Sequence, residues 1–309
     1  MKHRFAILGV VMLAAVGLAS GGGFSVQAAN GTCGFMGLPS THYRHVIWVW
    51  MENHSYSNII GSADAPYENA LATSCGLATN YHNITHPSLP NYIGATSGLA
   101  PIGLAHFASD CAPSVPCSTV VNSIFGQAST WRAYEESMPT NCDPTDSGLY
   151  AVRHNPPPYF SALAGCSIFD VPYARLATDL AADTLPSFAF VTPNLNDDTH
   201  NASVATGDQW LQTNLAPIFG SSSYQNGTSV VFVTWDEGTG GTAKNCTSNT
   251  TDVGCHVATI VASASTLGGT RISTLFNHYS LLRTTEQLLG VPALRSATKA
   301  HSMLTAFNL

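Results

Sequence analysis

HVIWVWMEN, residues 45–53, runs through six successive apolar side chains after His45 and stops abruptly at a carboxylate and an amide. A strand with one wet face would alternate apolar and polar residues. A continuous run suits a strand covered on both faces, as in a parallel sheet flanked by helices. Four further runs have the same character: Ser129–Tyr134, Ser187–Val191, Ser229–Thr234 and His256–Ala262. Helical patterns fall between and around them at Leu89–Thr96, Tyr159–Leu163, Ala174–Ala182, Gly207–Ile218 and Tyr279–Leu289. The alternation predicts one α/β domain with a mostly parallel central sheet between layers of helices.

In such sheets ligands bind beyond the carboxyl ends of the strands. Glu52-Asn53 follows the first strand directly, and Asp236-Glu237 follows the fourth, after Thr234-Trp235. Either pair alone reads as a solvated loop or a helix cap. On one rim, the four oxygen-bearing side chains are suited to a divalent metal ion, whose identity the residues leave open.

A nucleophile for that rim stands in THPSLPNYIGATSG, residues 85–98, where Ser88 lies between two prolines and ahead of a helical run. Backbone N–H groups at a helix start favour an anion, so the position suits phosphoryl transfer to the Ser88 hydroxyl. A Pro-rich turn leading into a helix explains the same residues without chemistry. The nearby Gly94-Ala95-Thr96-Ser97-Gly98 does not match the Gly-x-Ser-x-Gly elbow of serine esterases. A proton donor for the leaving group is sought among His86, His154 and His200, each near a turn or strand end. Glu135-Glu136 reads as a solvated turn, and His82 as a pocket or loop residue. His256 reads as a loop histidine beside Cys255 or a further metal ligand, and His278 as a packing or capping residue at a helix start. Asp208 is expected to cap, or lie in the first turn of, its own helix.

Lys2 and Arg4 precede an apolar segment from Phe5 to Leu18 and a small, polar stretch ending near Ala28, the layout of a secretory signal peptide over residues 1–28. Residues 29–309 form the expected exported domain, with no stable membrane anchor after cleavage. Without Lys2 and Arg4, nine basic residues face 18 acidic ones. That balance argues against nucleic-acid binding through a basic surface but permits a phosphate ester, small or lipid-borne, beside a bound cation. Eight cysteines, an even number with no Cys-x-x-Cys spacing, predict disulfides, with Cys111–Cys117 and Cys246–Cys255 clipping local loops.

WVWMENHSYSNIIG, HPSLPNYIGATSG, RHNPPPYF, VTPNLNDDTHNASVATGDQWL, VVFVTWDEG and NHYSLLRTTEQLLGVP occur in the order expected of the secreted phosphoesterase family. That family groups bacterial and fungal acid phosphatases with phosphocholine-type phospholipases C, within the alkaline phosphatase superfamily. The resemblance covers roughly residues 43 to 292. It implies an alkaline-phosphatase-like α/β/α sandwich, a metal site from Glu52, Asn53, Asp236 and Glu237 around Ser88, and His154 and His200 near the phosphate. Asn201 departs from the family, standing where an acidic residue is common beside His200. The chain also lacks the C-terminal extension of the large phospholipases C, so it is most similar in kind to compact acid phosphatases. The expected activity is metal-dependent hydrolysis of phosphate monoesters through a phosphoserine at Ser88. Phospholipase C-type diester cleavage and a non-catalytic secreted module are the alternatives, and the second would predict a missing ligand or nucleophile.

Overall fold

The computed structural model describes residues 31–309 apart from Leu38, Thr41 and Val115, so the expected signal peptide lies outside the described residues. Nine strands make one sheet: β1 (His45–Met51), β2 (Gly76–His82), β3 (Trp131–Glu135), β4 (Asp170–Pro172), β5 (Phe188–Thr192), β6 (Ser229–Trp235), β7 (His256–Ser263), β8 (Thr270–Ile272) and β9 (Phe276–Asn277). Their order is β4-β3-β5-β1-β6-β7-β2-β8, with β9 also paired to β2. Only β7 opposes the rest, running antiparallel to both β6 and β2. The sheet is therefore mixed and mostly parallel.

Side-chain direction on β1 shows the two helical layers. Trp48 and Trp50 point to one face, where Trp48 Nε1 donates to Thr285 Oγ1 at 3.0 Å and Trp50 packs on the tilted ring of Tyr92 with centroids 4.9 Å apart. Those partners belong to the helices His278–Leu289 and Ser88–Ser97. Met51 points the other way and packs so closely on Gly207 that a β-carbon there would lie 2.8 Å from its terminal methyl. Gly207 is in the helix Val204–Phe219, which packs on the helix Pro66–Ser74. Helices thus cover both faces, and the six residues Val46–Met51 are fully buried.

The structure differs from the sequence reading in places that have physical causes. Tyr159–Leu163 is not a helix; it follows three consecutive prolines, and only a short 3-10 turn, Pro157–Tyr159, forms. Residues 66–74 and 76–82, not singled out from sequence, supply a helix and the strand β2 between β7 and β8. Asp208 caps a different helix, accepting from the backbone N–H groups of Tyr67 and Glu68 at the start of Pro66–Ser74. Glu135 is buried within the sheet edge rather than solvated, and Glu136 accepts from Asn194 N at 3.0 Å. Disulfides join Cys33–Cys75, Cys111–Cys117, Cys142–Cys166 and Cys246–Cys255.

Candidate active site

β1 and β6 are adjacent, parallel and paired Met51 to Trp235, so the residues that follow them emerge side by side. The backbone continues this registration: Asp236 N donates to Met51 O at 2.9 Å, and Asn53 N donates to Asp236 Oδ1 at 3.0 Å. Asn53 sits in the left-handed region at φ 58°, a conformation asparagine tolerates, and its side-chain amide reaches back to Glu52 Oε2 at 3.3 Å.

Ser88 arrives from β2, which ends on the same rim. It is the first residue of the helix Ser88–Ser97. One side chain shapes the approach: Asn91 accepts from Ile84 N and Thr85 N and donates to Thr85 O and Pro87 O, tying the turn that presents Ser88. The Ser88 hydroxyl donates to Glu52 Oε2 at 3.2 Å. The helix ends at Gly98, whose φ of 72° and whose closeness to Leu294 O both call for glycine.

A third segment completes the enclosure. After β5, Thr199 adopts φ 79°, an outlier for a β-branched residue, and its hydroxyl donates to Glu52 O at 2.8 Å. This turn brings in Asp198, whose carbonyl accepts from Glu52 N at 2.8 Å. His154 is buried between two of these acids, with Nε2 3.2 Å from Glu52 Oε1 and Nδ1 3.2 Å from Asp198 Oδ2. Tyr92 OH donates to Glu52 Oε1 at 2.5 Å.

Glu52, Asp198, Asp236 and Glu237 are all buried. Burial pushes each carboxyl group up, and for Glu52 the neighbouring Asp236, Asp198 and Glu237 push further. Asp198 is raised to about 7 and Glu237 to about 8. Asp236 is raised well above its ordinary value, by burial first and Glu237 second, and its Oδ2 has no hydrogen-bond partner. Four acids that resist joint ionisation, two of them (Asp198 and Asp236) with an oxygen that no hydrogen bond satisfies, match the donor chemistry of a divalent cation. A second donor set shares Glu52: one ligand atom each from Glu52, His154 and His200 lie within 4.8 Å of one another.

The three histidines have different stations. His154 is inside the acid ring, and burial holds its ring well below the usual imidazole range. His200 is half-buried at the mouth, where Arg153 reaches its Nε2 at 3.3 Å and Asn201 Oδ1 lies 2.8 Å from its Nδ1. The arginine can only donate, so Nε2 accepts and Nδ1–H donates to Asn201. The Asn201 departure therefore keeps a hydrogen-bond acceptor beside the ring while removing a charge. His86 is placed behind Glu237, with Nδ1 2.7 Å from Glu237 Oε2 and Nε2 turned against Gly241, where a β-carbon would lie 2.0 Å away.

His82 and His256 stand outside the acid ring, in a stack with Tyr56. His278 begins its helix as expected but also backs the site: Nε2 donates to Asp236 O at 2.7 Å and Tyr81 OH donates to Nδ1 at 3.1 Å. Burial lowers this ring to about 4, so it is neutral and has the one N–H that Asp236 O requires. Asp198, Tyr92, Arg153 and His278 were not assigned site roles from sequence. Asp198 and Arg153 lie inside quoted motifs, beside His200 and His154, and Tyr92 follows Ser88 by one helical turn.

Residues 62–292 match the model of the Phosphoesterase family. The chain belongs to the Phosphoesterase family. Among its relatives, it is 30% identical over 263 residues to a phosphatidylinositol-3-phosphatase of Mycobacterium tuberculosis, covering 84% of this chain and 81% of that protein. It is 27% identical to an acid phosphatase of Aspergillus fumigatus over 80% of this chain but 55% of the fungal protein. The chain thus spans just over half the length of that fungal relative. A solved protein of the alkaline phosphatase superfamily from Vibrio parahaemolyticus superimposes with a TM-score of 0.59 at 14% identity, covering 84% of this chain and 72% of that one. Murine ectonucleotide pyrophosphatase/phosphodiesterase 5 does so at 0.53 and 11% identity, covering 82% and 96%. These two likenesses show the fold, an alkaline-phosphatase-like α/β sandwich. As a Phosphoesterase family member with several acid phosphatase relatives, the chain is a phosphoric monoester hydrolase. No helix among the described residues is long and apolar enough to cross a membrane.

Proposed function

We propose that this Phosphoesterase family member is an exported, metal-dependent acid phosphatase that transfers phosphate from a monoester to Ser88 and then to water. The observation that carries this reading is the Ser88 hydroxyl at a helix N-terminus, hydrogen-bonded to Glu52 within a ring of buried acids that includes an unpartnered Asp236 oxygen. Glu52, Asn53, Asp236 and Glu237 would hold the divalent cation. When bound, it supplies Lewis-acid stabilisation of phosphate oxygens and favours the ionised serine.

The chain's own residues do the rest. Ser88 Oγ loses its proton to water and attacks phosphorus; the ester oxygen leaves with a proton from His200, and water then cleaves the Ser88–phosphate bond, returning the Ser88 hydroxyl and inorganic phosphate. His200, half-buried at the mouth beside Arg153, is the proton donor on this reading, and to act its Nε2 must leave Arg153 and take up a proton. His154 holds Glu52 and Asp198 apart in the enclosed interior. His86 fixes the orientation of Glu237 from behind. The substrate is a small-molecule or lipid phosphate monoester; the phosphatidylinositol-3-phosphatase relative supports the lipid form. Four disulfides and the acid phosphatase relatives support export.

Ser88→Ala tests the core of the reading. Release of phosphate from a generic monoester should fall by roughly three orders of magnitude or more. Rapid acid quench of wild type with labelled substrate should leave phosphate on the peptide containing Ser88. Full activity in the variant would remove the serine from the mechanism. Metal analysis of the purified chain, with turnover measured before and after chelation, tests the cation separately.

A further inference from the structure

The helix start that presents Ser88 already holds an anion. Leu89, the residue after Ser88, donates its backbone N–H to Asp110 Oδ1 at 2.9 Å. First-turn N–H groups have no partner within their own helix and attract negative charge. The helix Ser88–Ser97 has no acidic residue in its own first turn and no side-chain cap. Asp110 supplies that charge from a loop outside the helix.

The surroundings of Asp110 are those a phosphate would want. Burial raises its carboxyl group, while the Leu89 N–H, Arg153 and His200 each favour its charged form, and Asp110 in turn acts on Glu237. Its backbone is held on both sides. Asp110 N donates to Phe107 O at 3.0 Å, with Phe107 fully buried, and Cys111 is tied to Cys117 while its carbonyl accepts from Tyr159 OH at 2.8 Å. Asp110 itself adopts φ 50°, a conformation that Asn and Gly share readily.

We infer that Asp110 is a specificity-determining residue: an internal carboxylate that occupies the phosphate seat over Ser88 and competes with substrate and product phosphate for the Leu89 N–H. This rests on the phosphate lying at the Ser88 helix start, as in the function proposed above. A dianion entering the seat must displace Asp110 and then remain near its charge. The contact therefore weakens binding of inorganic phosphate and helps the product leave.

Asp110→Asn removes the charge while keeping the shape and backbone conformation, and Asp110→Gly removes the side chain. In both variants the inhibition constant for inorganic phosphate should fall about 5-fold or more, with KM falling in parallel and kcat unchanged or lower as release slows. The effect should persist at about 0.5 M salt, because a direct contact is displaced rather than a distant charge screened. Unchanged or weaker phosphate inhibition in both variants overturns the inference, as does an effect that disappears at high salt. Calorimetric titration of inorganic phosphate into Ser88→Ala and Ser88→Ala/Asp110→Asn repeats the comparison without turnover. If Ser88→Ala stays active, the nucleophile reading fails, while the titration still decides the role of Asp110.

Discussion

Glu52 has its position specified at every polar atom. Its backbone N–H and carbonyl are taken by Asp198 O and Thr199 Oγ1, its Oε1 by Tyr92, and its Oε2 by Ser88 and Asn53. Tyr92→Phe removes the shortest of these bonds while keeping the ring that packs on Trp50. Loss of a partner that orients a metal-binding carboxylate typically weakens affinity about 10–100-fold. Titrating divalent cation into chelated Tyr92→Phe should show that shift in half-activation, with kcat largely restored at saturation; an unshifted titration would separate Tyr92 from the cation. Much of this site was legible in sequence, because Glu52-Asn53 and Asp236-Glu237 directly follow apolar strands and Ser88 begins a helix. Asp198 was not, since Asp197-Asp198 offers two equal acids, and only the left-handed turn at Thr199 turns the second inward. Tyr92 was hidden for a different reason: an aromatic residue in an apolar helix reads as core, and here it is both core and ligand to an acid.

Strands announced themselves in proportion to their burial. β1, β6 and β7 are near-continuous apolar runs and fall within a residue of their expected bounds. β2, GLATNYH, mixes small and polar residues and gave no such signal, although it pairs with three other strands and leads to Ser88. Its strand character comes from its neighbours rather than from its own side chains. The helix His278–Leu289 shows the opposite case, with its start written locally. Asn277 accepts from Tyr279 N and Ser280 N, and Ser280 Oγ accepts from Asn277 N, a reciprocal cap. Asn277→Ala should cost about 1 kcal/mol, seen as a melting temperature lower by roughly 2–4 °C, whereas Asn277→Asp, which keeps the cap but loses the Nδ2 donation to Thr247 O, should fall between it and wild type. Equal melting of all three would mean that packing alone fixes this helix, and with it His278 against Asp236.

The molecule as a whole also buries acids outside the candidate site. Away from Ser88, burial raises Asp170 to about 8 and Glu286 to about 7, and raises Glu135 as well, with Asp170 adding to the last. A carboxyl group whose folded pKa is raised keeps a proton that the unfolded chain releases. Stability therefore falls as pH rises from the unfolded value of about 4 towards the folded values, and levels off above them. Asp170→Asn, which can still accept from Asn155 Nδ2, should flatten that decline. Its melting temperature should match wild type near pH 4 and exceed it by roughly 3 °C or more at pH 8; parallel melting curves across that range would contradict the assignment. A last consequence follows from the pairing of Met51 with Trp235. The amide of Asp236 is locked into a bond to Met51 O that extends the β1–β6 ladder, and that of Glu52 into one to Asp198 O in the turn after β5, so the Asp236 hydrogen should exchange with deuterium only when the sheet itself opens, and the Glu52 hydrogen earlier, when that turn opens.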